Sequence, residues 1–312
     1  MQEPVQERYP GALPDHGRFR YRPINERPDW RWPGGAGLAV YLGFNLEHFA
    51  FGEGLGAAIG PVSPAPDVLN HSWREYGNRV GAWRCLELFD ALELPAAAIV
   101  NTALLDHCPQ LVAAHVARGD ELVGHGHTNA ERQGGLAEPA EAALLARCRE
   151  RLAEAGVTPP AGWLSPWISE SARTPDLLAE AGYRYTLNWC HDDQPTAMRT
   201  RSGRRLWSLP YPQELNDIPM LVGRQMDMRD FAEMVIDQFD EMRAQARRQP
   251  LVMGLALHPY LVGQPYRLRH LRRALAPLAA ARSQGEIWFT TPGAICDHMD
   301  ALAARDPEGF AP

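Results

Sequence analysis

The sequence predicts an α/β fold, a distorted (β/α) barrel of about seven strands, and three observations predict it. Apolar runs of strand length alternate with longer segments of helical periodicity, giving about seven or eight βα units along 312 residues. Several runs are continuously apolar, as strands covered on both faces are. Polar residues collect just after the runs, at the strand C-termini where parallel α/β folds bind their ligands.

Residues 1–35 are rich in Pro, Arg and Gly and read as an irregular arm, lying across the domain or a neighbouring subunit through Trp30 and Trp32. The barrel then occupies 36–304 and a tail 305–312. A first strand runs from Gly37 to Phe44 and leads into Asn45-Leu46-Glu47-His48. A Gly/Pro/Ala-rich loop follows to about Asn70, long enough to suggest a lid or binding loop. Helical spacing covers Gly81 to Leu92, Pro109 to Arg118 and Pro139 to Ala155. Between these lie strands from Pro95 to Val100 and from Glu121 to Gly124, and another follows from Ala161 to Ser165. Thr174-Pro175-Asp176 starts a helix with Pro at its first position, and Gly182 closes it. Strands from Tyr183 to Asn188 and from Arg205 to Leu209 come next. The order ends with helix Asp230 to Arg247, strand Leu251 to Leu257, helix Tyr266 to Arg282, strand Ile287 to Thr290 and a helix from Pro292.

Composition removes several function classes. A net charge of -7 without long basic runs argues against nucleic acid as a partner. All 31 basic residues are Arg, so Schiff-base lysine chemistry, a lysine base and a carbamylated lysine between two metals are excluded. The five cysteines form no CxxC pair and indicate neither a zinc ribbon nor a disulfide framework. The polar N-terminus lacks a signal-peptide core, and no window reaches the length of a membrane span. The expectation is a cytoplasmic protein that acts on a small molecule, away from membranes.

Candidate site residues are the polar groups at strand ends: Glu47-His48, His125 and His127, Asp192-Asp193, and His258. Residues two apart on an extended chain face the same side, so His125 and His127 could bind one metal. The alternative is that one acts as ligand or acid/base group while the other caps a loop. Asp192 and Asp193 are read as orienting His258 or binding substrate. Trp163, Trp167 and Trp189 are read as walls for a small ring, with buried core the alternative for at least one of them. Tyr211, Glu214 and Asn216 are read as pocket-lining, with turn chemistry the alternative for Asn216-Asp217. Metal-dependent amidohydrolase barrels also use H-x-H, but on the first strand and often with a carboxylated lysine, which this chain lacks.

Four stretches carry a more specific resemblance: W-R-E-Y-G-N-R-V-G-A-W-R (Trp73 to Arg84), L-L-A-E-A-G-Y-R-Y (Leu177 to Tyr185), L-P-Y-P-Q-E-L-N-D (Leu209 to Asp217) and L-H-P-Y-L-V-G-Q-P-Y-R (Leu257 to Arg267). From about Ala36 to His298 the chain resembles the polysaccharide deacetylase superfamily, nearest the branch of allantoinase-type and cyclic-imide hydrolases. The resemblance implies Glu47 as catalytic base and His48 at a metal-ligand position, where the family has two adjacent acids. It puts His125 at the first ligand position of the second motif and Asn129 at its second, with His127 as a substitute. His258 matches the late histidine that protonates or polarises the leaving group. Trp163 stands where the family has an arginine, with Pro166 nearby.

Two readings of the cofactor follow. In one, Zn²⁺ or another divalent ion is held by His48, His125 and Asn129 or His127 and acidifies water. In the other, the same histidines and backbone N–H groups work without metal, as the allantoinase-like departure from the metal triad allows. Family habit implies a homo-oligomer, a dimer or tetramer. The expected function is hydrolysis of a non-peptide C–N bond in a small amide, cyclic amide or ureide. The alternatives are a metal-dependent N-deacetylase of an amino sugar or polysaccharide, and a non-catalytic ligand-binding pseudoenzyme.

Overall fold

The computed structural model of the chain describes residues 15–52, 66–155 and 158–312. Nine strands form one sheet: β1 Leu38–Leu46, β2 Ala97–Val100, β3 Glu121–Gly124, β4 Gly162–Trp163, β5 Tyr185–Thr186, β6 Thr196–Met198, β7 Leu206–Ser208, β8 Leu251–Leu257 and β9 Trp288–Phe289. Their order is β6-β7-β5-β4-β3-β2-β1-β8, with β9 pairing the start of β1. All pairings are parallel except that of β6 with β7. Two segments reach β8 from the far edge of the sheet: the chain after β7 through a bridge from Asn216 to Ala256, and the chain before β6 through the Asp193 carbonyl, which accepts from Val252 N at 2.8 Å. The distorted barrel is borne out. β6 is the added antiparallel strand, in a stretch too short and polar to stand out by pattern.

Ten helices are described: α1 Val68–Tyr76, α2 Ala82–Ala91, α3 Leu104–His107, α4 Pro109–Arg118, α5 Glu138–Glu154, α6 Thr174–Ala181, α7 Met228–Gln245, α8 Pro259–Val262, α9 Pro265–Ser283 and α10 Pro292–Arg305. No described helix is long and apolar enough to cross a membrane. A π-helical turn, Gly77–Gly81, joins α1 to α2. The expected loop to Asn70 therefore ends at Asp67, whose side chain accepts from Asn70 N at 3.1 Å and caps α1. Its middle, 53–65, lies outside the described residues, as do 1–14 of the arm. The π-turn packs tightly on α8. A Cβ at Gly81 would stand 2.1 Å from the Pro259 carbonyl oxygen, so this approach requires glycine.

Strand parity divides the core in two. Along β1, Leu38, Val40, Leu42, Phe44 and Leu46 join the cluster beneath the helices, whereas Ala39 and Tyr41 join the barrel interior. The same division holds on the neighbours. Ala98 and Val100, Leu122, and Leu251, Met253, Leu255 and Leu257 face the helices; Ala97 and Ile99, Val123, and Val252 and Ala256 face inward. Continuing each inward series past the strand end gives Glu47, Asn101, His125 and His258. β3, β2, β1 and β8 are consecutive in the sheet, so these four side chains come from adjacent strands.

The described part of the arm is bound to the barrel wall. Trp32 is buried and its Nε1 donates to the Leu251 carbonyl at 2.9 Å. Arg18 forks onto Asp176 at 2.6 and 2.9 Å, and Arg27 onto Asp192 at 2.7 and 2.6 Å.

Candidate active site

β1 ends at Leu46, and the next inward residue, Glu47, is buried. Asn78, on the π-turn, donates to the Glu47 backbone carbonyl at 2.9 Å and holds the strand end in place. Glu47 Oε1 accepts from Asn129 Nδ2 at 2.5 Å. His258 Nε2 lies 3.5 Å from the same oxygen and His125 Nε2 3.6 Å from it. Oε2 is buried with no hydrogen-bond partner among the described residues. Burial opposes the charge of this carboxyl, but the positive charge of His258 and the approach of its Nε2–H outweigh it. The group is held well below the usual carboxylate range.

His258 follows β8 and is fixed by Asp217, which takes its Nδ1–H at 2.6 Å and its backbone N–H at 2.7 Å. Burial works against the imidazolium, yet the carboxylates of Asp217 and Glu47 more than offset that and push its pKa up to about 10. His258 is therefore a cation at neutral pH, with Nε2–H directed at Glu47. His125 Nδ1 lies 2.6 Å from the Leu164 carbonyl. A carbonyl can only accept, so this nitrogen carries the proton, and Nε2 is left buried without a hydrogen-bond partner among the described residues. Asn101 ties the floor together: its Oδ1 accepts from His48 N at 2.8 Å, and its Nδ2 donates to Asn129 Oδ1 at 3.0 Å and to the His125 carbonyl. Tyr211 lies below, its hydroxyl accepting from Asn45 Nδ2 at 3.1 Å. Arg74 is buried over the Phe49 ring, 3.4 Å from its centroid. Burial lowers its pKa against the opposing pull of Tyr260 and Glu47.

Glu47, His125, Asn129 and His258 thus meet, with Tyr211 beneath them. Other expected residues stand elsewhere. His48 is adjacent to Glu47 on an extended chain, so its side chain leaves on the opposite face. It turns toward Glu75 and His107, its ring centroid 4.4 Å from that of His107. His127 does not pair with His125: β3 ends at Gly124 and Gly126 has a φ of +68°, which breaks the two-residue repeat. His127 is exposed and its Nδ1 lies 3.1 Å from Thr102 Oγ1. Trp163 is on the helix-facing side of β4 and fully buried, donating to Gln133 and Ser165; it walls no pocket. Pro166 is buried in the turn after β4 and packs against Gly126.

Trp189 packs on Phe19 and His16 of the arm and donates to Glu170 at 2.8 Å. Asp217, not Asp192 or Asp193, orients His258. Asp192 is taken by Arg27, and Asp193 meets β8 at Val252, six residues and roughly 20 Å of strand before His258. Glu214 is exposed and lies 3.8 Å from Arg224. Asn216 closes the barrel and caps Ile218 N. Sequence reading did not single out Asn101, although strand parity marks it, or Asp217, whose Asn-Asp setting also suits a turn. It also missed the consecutive positive φ values of Trp167 and Ile168, +63° and +52°. Such strain in bulky residues marks functional turns, and here Trp167 Nε1 reaches the Asn129 carbonyl at 2.9 Å.

The expected metal set does not converge. His48 points away, Asn129 spends its amide oxygen on Asn101 and its nitrogen on Glu47, and His127 faces outward. The described residues that bring three donor atoms close enough for one ion are His48, Glu75 and His107.

No family model matches the chain. A Schizosaccharomyces pombe protein named "Putative polysaccharide deacetylase" is 22% identical over 315 residues, covering 92% of this chain and 95% of that one. A Helicobacter pylori peptidoglycan deacetylase is 24% identical over 228 residues, 72% of this chain and 75% of the relative. The crystal structure of the PuuE allantoinase superposes with a TM-score of 0.79 at 26% identity, covering 93% of this chain and 99% of that one. The resemblance read from the four sequence stretches, to the polysaccharide deacetylases and their allantoinase-like branch, is borne out.

Proposed function

We propose, for a chain similar in sequence to polysaccharide deacetylases and in fold to an allantoinase, that it hydrolyses a non-peptide C–N bond in a small amide, cyclic amide or ureide. The observation that carries this reading is the pairing of a buried, charged Glu47 with a cationic His258 whose other nitrogen is fixed by Asp217. Amide hydrolysis needs a base for water and an acid for the leaving nitrogen, placed side by side.

Water accepted between Glu47 Oε2 and His125 Nε2 gives a proton to Glu47 as its oxygen adds to the carbonyl carbon. The two partnerless atoms are suited to that water, one as base and one as lone-pair acceptor. The developing oxyanion lies in the field of the His258 imidazolium. His258 Nε2 then gives its proton to the nitrogen as the C–N bond breaks, leaving a carboxylic acid and an amine, or one ring-opened product. The donors at the resemblance's ligand positions do not gather, and these proton transfers use the side chains of Glu47, His125 and His258.

N-deacetylation of an amino sugar is a second reading, favoured by the names of the curated relatives. Screening purified protein against cyclic imides, cyclic ureides, linear ureides and N-acetylated amino sugars separates the readings. Turnover of a cyclic or ureide substrate, lost in His258→Asn, is expected. Turnover confined to the acetylated sugars would replace this reading with the second, and no turnover across the panel would favour the ligand-binding pseudoenzyme.

A further inference from the structure

A second group of donors stands beside the centre and takes no part in the proposed hydrolysis. His48, Glu75 and His107 bring one ligand atom each within 4.8 Å of one another. His107 Nε2 lies 3.1 and 2.9 Å from the two Glu75 oxygens, and His48 Nδ1 lies 3.9 Å from Glu75 Oε1. The three come from separate parts of the chain: the segment after β1, α1 and the end of α3. Nearby, His71 has a buried Nδ1 with no hydrogen-bond partner among the described residues.

An ion pair accounts for His107 with Glu75 but not for His48. Its Nδ1 is buried, lacks a hydrogen-bond partner among the described residues and stops short of Glu75, an arrangement that costs stability unless something occupies the gap. Two imidazole nitrogens and a carboxylate are the donors that zinc-type ions select. Ligand atoms about 2.0–2.1 Å from a tetrahedral ion stand roughly 3.3 Å apart, and the separations from Glu75 Oε1, 3.1 Å to His107 Nε2 and 3.9 Å to His48 Nδ1, bracket that value.

We propose that His48, Glu75 and His107 form a binding site for Zn²⁺ or a similar divalent transition-metal ion, separate from the Glu47–His258 centre. The bound ion clamps the segment after β1 to α1 and α3. Because His48 directly follows Glu47, the clamp also fixes the backbone that carries the catalytic carboxylate. Of the resemblance's ligand positions, His48 alone takes part.

The test is metal content and stability of the full chain, with no activity readout. Protein stripped with a chelator is equilibrated with Zn²⁺, or with Co²⁺ for its visible spectrum. We expect one ion per chain, a Co²⁺ absorption band of imidazole–carboxylate coordination, and a Tm raised by zinc. His107→Ala and Glu75→Gln should each weaken zinc binding at least 100-fold and abolish the Tm response, whereas His125→Asn keeps both. His107 is largely exposed, so its removal leaves the fold intact. Absence of stoichiometric binding, or retention of the ion by either His107→Ala or Glu75→Gln, would overturn the proposal. Loss of zinc in His125→Asn would move the ion to the catalytic centre and overturn it as well.

Discussion

The ends of β3, β2, β1 and β8 and the segment between β5 and β6 both present polar side chains after strands, and their fates differ. From the first group, His125 and His258 meet at the Glu47 carboxylate, and Asn101 holds Asn129, which donates to it. In the second, Asp192 is neutralised by Arg27 of the arm and Trp189 packs on Phe19 and His16. A polar residue at a strand end reaches the centre when it continues the inward parity of a parallel strand. The chain after β5 instead heads into antiparallel β6, and its backbone meets β8 at Val252, near that strand's start. One region gathers ionisable groups around a buried carboxylate and the other fastens the arm.

Substitutions can break this comparison. Glu47→Gln removes the proposed base while keeping its shape, and should lower kcat by about 10²–10⁴-fold and also lower Tm, because the charge that His258 stabilises is lost. Steady-state kinetics on a substrate found by screening checks this; retained turnover would dismiss the centre. Arg27→Ala should lower stability alone. It breaks a largely buried, two-pronged ion pair and should cost about 1–2 kcal/mol in denaturant unfolding while leaving kcat unchanged. Glu214→Gln, at an exposed residue 3.8 Å from Arg224, should change neither kinetics nor stability measurably. A loss of activity there would return Glu214 to the site.

Much of this was legible in the sequence, for reasons that also explain the failures. Alternating apolar runs specify the barrel, and Glu47, His125 and His258 stand out because ionisable groups directly after buried strands are unusual. Asn101 is neutral and Asp217 sits in turn-like company, so neither drew notice, although one braces the floor and the other charges the acid. Spacing misled at the two histidine pairings. Adjacency put His48 with Glu47, but neighbours on an extended chain diverge. The two-residue repeat joined His127 to His125, but the positive φ of Gly126 ends the extended chain between them. Trp163 falls in the middle of the expected strand Ala161 to Ser165, but the strand formed is only Gly162–Trp163 and its indole joins the cluster on the helix side.

The raised pKa of His258 also links the site to stability. Because its folded pKa, about 10, exceeds the ordinary value of 6.5, its favourable contribution is complete below about pH 6.5 and is lost as pH rises through about 10. Glu47 is shifted the other way. Its contribution is present above the ordinary carboxylate pKa and is lost as pH falls through its depressed folded value. Unfolding free energy should therefore decline on the alkaline side in wild type, and His258→Asn should remove that part of the decline.

The most direct test of the centre is the pH dependence of kcat/KM in wild type and Asp217→Asn, which reports the free enzyme's acid and base. Full activity through neutral pH and an alkaline fall near pH 10, set by His258, are expected. In Asp217→Asn that fall should move to lower pH by more than about one unit, because the carboxylate that favours the imidazolium is gone. An alkaline limb that stays in place would contradict the claim that a cationic His258, held by Asp217, is the acid beside Glu47.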